Sequence, residues 1–128
     1  MVDDPNYKSP NWSDESKRVM RTEISQFFLD GMVSRMLVSH DKYGPVANAY
    51  PEKLDALSSA RERINLYRKT GNTEYLMDAA NFMMIEFMHP SKEDAFFQGT
   101  DDSGSPGRVS RETRQATKKS NEQLSEAA

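Results

Sequence analysis

The sequence predicts an all-α fold. Three observations carry that expectation: apolar residues recur at three- and four-residue spacing, no segment alternates with period two, and glycine or proline marks the breaks between stretches. A chain of 128 residues has room for one domain. The expected organisation is an N-terminal arm over 1–12, a helical domain over 13–98 and a polar, flexible C-terminal tail over 99–128. The domain is a bundle of three principal helices, at about 13–39, 51–69 and 73–88.

Each helix has its own signals. Ser13 is a good N-cap, and Asp14 and Glu15 then fall in the first turn, where the helix dipole favours negative charge. Met20, Ile24, Phe27, Phe28, Met32, Met36 and Leu37 form the apolar stripe behind them, and the segment from His40 to Pro45 closes the helix. Pro51 suits the first position of the second helix, whose stripe is Leu54, Leu57, Ala60, Ile64 and Tyr67, with Gly71 just past its end. Asn72 caps the third, which Pro90 stops. A short fourth helix is allowed near Lys92–Phe97. Beyond about residue 98 the chain has few apolar side chains to offset the entropy of ordering it.

Composition narrows the function classes. The chain is 36% hydrophobic and 29% charged, and no apolar run reaches the roughly 18 residues of a membrane span. The polar N-terminus lacks the pattern of a signal peptide, so a cytoplasmic protein is expected. With no cysteine there is no disulfide, thiolate chemistry or cysteine-bound zinc. A net charge of −3 gives no reason to expect nucleic acid as a partner. His40 and His89 have no metal-ligand spacing, and the internal methionines read as core filling. No catalytic residue stands out.

The chemistry-bearing stretch is residues 71–90, GNTEYLMDAANFMMIEFMHP. On a helix of about 100° per residue, Glu74, Asp78 and Asn81 lie within about 60° of one another, on a helix otherwise apolar nearly all round. Such a helix should be central and buried, with Phe82 in the core. Two readings of the polar stripe stay open. In one, the carboxylates hold a hard divalent cation, Mg²⁺, which takes oxygen ligands and keeps waters that a phosphate can replace. In the other, the stripe is structural: Asp78 pairs with Lys42, Arg63 or Arg68, and Asn81 bonds across a helix interface.

The order of a long helix, then HDKYG, then an acidic helix, then TEYLMDAANFMMIE resembles the MazG-like branch of the all-α nucleotide pyrophosphatase superfamily. The resemblance covers roughly residues 20–90. It implies Mg²⁺ held against a nucleoside triphosphate by an E-E-x-x-E helix and a following E-x-x-D helix, with hydrolysis to monophosphate and pyrophosphate. Asp78 matches the aspartate of the second motif, but Tyr75 stands where its glutamate belongs, with Glu74 one place earlier. On the preceding helix Glu52, Asp55 and Glu62 do not reproduce the first motif. Carried over, Glu74 and Asp78 are metal ligands, Glu52 or Asp55 is a third, and Asn81, Lys42 and Arg68 contact the nucleotide.

The block from Thr70 to Pro90 also resembles small uncharacterised proteins of actinobacteria and their phages, so the alternative is a non-catalytic, phage-related helical protein that binds a protein partner or sequesters a nucleotide. Three helices leave apolar surface that self-association would cover, so a dimer or higher oligomer is expected. The tail carries Arg108, Arg111, Arg114, Lys118 and Lys119 against Glu112, Glu122 and Glu126, a mild basic balance that would serve a docking arm for a protein partner.

Overall fold

The computed structural model describes residues 4–99. The chain divides into two units at Phe97/Gln98, and the helical unit is described by itself. The tail expected over 99–128 lies, from residue 100 on, outside the described residues. Among the described residues there are four α-helices, one short 3-10 helix at Val46–Asn48 and no strand: α1 Asp14–Glu23, α2 Gln26–Tyr43, α3 Ala56–Thr70 and α4 Glu74–Met88. None is long and apolar enough to cross a membrane.

The expected first helix is two. Ser13 caps α1 as read from the sequence, its hydroxyl accepting the Ser16 N–H at 3.1 Å. The chain then turns extended at Ile24 (φ −128°, ψ 130°), and Ser25 starts α2 by accepting the Phe28 N–H at 3.0 Å. An apolar stripe continuous across the break concealed it, because spacing alone does not register two extended residues, Ile24 and Ser25. Ser25 behind β-branched Ile24 was the available signal. α2 also outruns its expected end. His40, Asp41, Lys42 and Tyr43 form its last turn, and Gly44, at φ 82°, ends it while donating its N–H to the His40 carbonyl at 2.8 Å.

The second helix starts at Ala56, not at Pro51, which lies in a turn after a cis Tyr50–Pro51 peptide. Asp55 decides this start. Its carboxylate accepts the Ser58 N–H at 3.0 Å and the Ser58 hydroxyl at 2.8 Å, satisfying a donor that the helix cannot satisfy itself. These bonds, the backbone one first, hold the Asp55 carboxyl below its ordinary value. A folded value below the unfolded one stabilises the protein above about pH 3.9, and the effect disappears as pH falls through the folded value. Asp55→Ala should therefore lower helicity and melting temperature near neutral pH, and the difference from the parent should vanish in acid. A pH-independent difference in circular dichroism melts would show that the cap does not act through its charge.

Gly71, at φ 76°, ends α3, and three residues reverse the chain into α4, where Asn72 accepts the Glu74 N–H at 3.1 Å. α3 and α4 form the principal hairpin, α2 packs on α4, and α1 packs against no other helix to a comparable extent. Gly31 permits the approach of α2 to α4: a Cβ there would lie 2.5 Å from the Met77 sulfur. The core is small. Tyr50, Ala56 and Ile85 are its buried centre, with Met36, Val46, Leu54 and Phe82 packed around them. Phe82, expected in the core, is half-buried at this edge. After α4, Ser91–Asp94 form a turn in place of a short helix, and Glu86 accepts the N–H and hydroxyl of Ser91 at 3.0 and 2.7 Å.

Candidate functional site

The face of α4 that bears Glu74, Asp78 and Asn81 looks at α2. Arg35, in the middle of α2, binds both carboxylates: its guanidinium donates to both oxygens of Asp78, with Nη2 to Oδ2 at 3.2 Å, and its Nη1 lies 3.0 Å from Glu74 Oε1. The two-pronged contact with Asp78 matches the planar fork of arginine to a carboxylate. Asp78 has a side chain only 16% exposed, against 38% for Arg35, so the carboxylate depends on this partner for solvation. The hydrogen bond to Asp78 in turn raises the Arg35 guanidinium above its ordinary value, against the opposing effect of partial burial.

Arg63 of α3 closes the other side. Its Nε stands 3.8 Å from Asp78 Oδ2, and its guanidinium carbon lies 5.6 Å from the centre of the Phe82 ring, within cation–π range. Asn81, 6% exposed, donates from Nδ2 to the Met32 carbonyl at 3.0 Å, while its Oδ1 has no hydrogen-bond partner among the described residues. Together α2, α3 and α4 enclose an open cleft of about 440 Å³. Arg35, Lys42 and Arg63 line it with one carboxylate, Asp78; Ser34, Ser39 and Tyr43 add hydroxyls, and Met36, Phe82 and Ile85 add apolar wall.

The sequence-derived site residues separate into two groups. Asp78, Asn81 and Lys42 meet at the cleft, and Glu74 joins them through Arg35. Glu52, in the exposed turn after Pro51, Asp55, which caps α3, and Arg68, exposed on α3, do not line it. Arg35 is the residue that the sequence reading missed. It stands one turn after Met32 and next to Met36 on the buried side of α2, and an arginine inside an apolar stripe signals a carboxylate partner on the facing helix.

Both carboxylates of the expected Mg²⁺ pair are engaged by a guanidinium in this structure. The Asp78 oxygens are both engaged by Arg35, Glu74 shares the same guanidinium, and among the described residues no group of three or more His, Asp or Glu could hold a metal. What the cleft offers instead is cationic and hydroxyl donors beside an aromatic ring. No family model, curated protein or solved structure matches the chain significantly.

Proposed function

We propose that the protein binds a phosphate-bearing ligand of the nucleotide class in the cleft between α2, α3 and α4, through its cations directly. The single observation that carries this reading is the charge of the cleft lining: Arg35, Lys42 and Arg63 against Asp78 alone. Arg35 is committed to Asp78 and Glu74, and Arg63 lies 3.5 Å from Glu62 and 3.8 Å from Asp78, which leaves Lys42 as the cation best placed to receive phosphate oxygens, with Arg63 beside it. Phe82 and Tyr43 supply flat apolar surface for a base, in keeping with pockets that combine an apolar wall with a few placed polar groups. Nothing in the lining supplies an activated nucleophile, so the reading is of binding or sequestration.

Thermal shift and calorimetric titration with ATP, pyrophosphate and adenosine test it. ATP and pyrophosphate should stabilise the protein without Mg²⁺, and Lys42→Met should weaken them about tenfold, or ~1.4 kcal/mol. Added salt should weaken binding as well. Stabilisation that appears only with Mg²⁺, or none at all, would remove the direct phosphate site.

A second reading, a non-catalytic interaction protein that self-associates or binds another protein, draws on a separate observation. Phe27, Val33, Leu37 and Val38 of α2 are exposed, and α1 stands apart from the other helices. The C-terminal docking arm belongs to this reading and lies outside the described residues.

A further inference from the structure

The helix α4 has three faces, and among the described residues α2 and α3 cover two of them. Glu74, Met77, Asp78 and Asn81 meet α2, while buried Ala79 and half-buried Phe82 lie on the side of α3 and Arg63. The third face carries Leu76, Ala80, Met83 and Phe87, spaced by four, three and four residues. That spacing is the seam of one helix packed along another at a shallow angle. Met83 is 51% exposed and Phe87 50%, while Leu76 and Ala80 are half-buried, so among the described residues the seam lies open at its Met83–Phe87 end and partly open at the other. Leu57 of α3, also exposed, is level with Phe87 along the antiparallel hairpin.

We propose that this seam pairs with the same seam of a second copy of the chain, antiparallel, across a two-fold axis between Ala80 and Met83. The order of side-chain sizes selects this occupant. An antiparallel copy sets Ala80 of one chain against Met83 of the other, and Leu76 against Phe87, so that a small or medium side chain meets a large one in each layer. A parallel copy would stack Phe87 on Phe87 and Ala80 on Ala80, crowding one layer and leaving a void in another. The antiparallel arrangement also places each helix's N-terminus beside the other's C-terminus, which favours the pair electrostatically. Residues 100–128 are poorly suited to fill the seam, since Val109 and Leu124 are their only large apolar side chains. The resulting interface is isologous and closes at two copies. It is independent of the cleft, which opens on the α2 side of α4.

The absence of cysteine in the chain makes the register measurable. The full-length parent should run as a dimer in light scattering, and Met83→Glu should run as a monomer with unchanged helicity, whereas Val33→Glu on α2 should stay dimeric. Under mild oxidation a mixture of the Ala80→Cys and Met83→Cys proteins should cross-link several-fold faster than either alone. A monomeric parent, a dimer broken by Val33→Glu and kept by Met83→Glu, or faster cross-linking of each cysteine variant with itself would overturn the proposal.

Discussion

Ile85→Ala should lower the unfolding free energy by about 2–4 kcal/mol, which is the range for deleting most of a buried aliphatic side chain. Ile85 is 5% exposed and sits where α4 meets Tyr50, Ala56 and, around them, Met36 of α2 and Val46 of the 3-10 helix. One side chain thus ties the hairpin to α2 and to the segment between α2 and α3. The neighbours are anchored in four different segments and cannot all collapse into the space left behind. With so few buried groups the total stability belongs at the low end of the usual range, about 5 kcal/mol, so the variant should be close to unfolding at 37 °C. Urea denaturation followed by circular dichroism checks this. A loss below about 1 kcal/mol would show that the core is centred elsewhere. Phe82→Ala should cost less than full burial of its ring would imply, because one edge faces the open cleft and Arg63.

Asp78→Asn should destabilise the protein by about 1.5–3 kcal/mol, by the same amount with and without Mg²⁺. The substitution keeps the size of the side chain, removes its charge and leaves Arg35 with Glu74 as its only close carboxylate among the described residues. Stranding a fully buried arginine costs more, about 3–5 kcal/mol, but Arg35 is exposed enough to recover part of its hydration. Pairing the change with Arg35→Met separates an interaction from two independent losses: the double variant should lose clearly less than the sum of the singles. The opposite result has equal meaning. If Asp78→Asn raised stability in the absence of metal and abolished a stabilisation by Mg²⁺, clustered carboxylates would be repelling one another, and the stripe would be a cation site after all.

The all-α class, the C-terminal ends of the second and third helices and the sidedness of Glu74, Asp78 and Asn81 were all legible in the chain itself. These follow from local physics: the periodicity of apolar groups, the permissive backbone of Gly71 and Pro90's inability to continue a helix act over a few residues. The start of α3 was legible too: an aspartate three residues before Ser58 and one before the first helical residue is an N-cap pattern, and its carboxylate accepts the Ser58 N–H and hydroxyl. The break at Ile24–Ser25 and the cap at Ser25 were also local, yet masked by a stripe that runs on across them.

Tertiary structure decided what the polar stripe meets. The residues that could answer Asp78 are many in sequence, and Lys42, Arg63 and Arg68 were all reasonable. Of these, Arg63 does reach Asp78, at 3.8 Å, but Arg35 takes both carboxylate oxygens because α2 crosses α4 where Gly31 admits Met77, which brings position 35 level with 74 and 78. Separation in sequence hides such a pairing, since the partner is chosen by the crossing of two helices and not by either alone. The third face of α4 has the same origin. Sequence showed a helix apolar nearly all round, but only the placement of α2 and α3 reveals that, among the described residues, two neighbours cover two faces and leave Met83 and Phe87 exposed on the third, with Leu76 and Ala80 half-buried beside them.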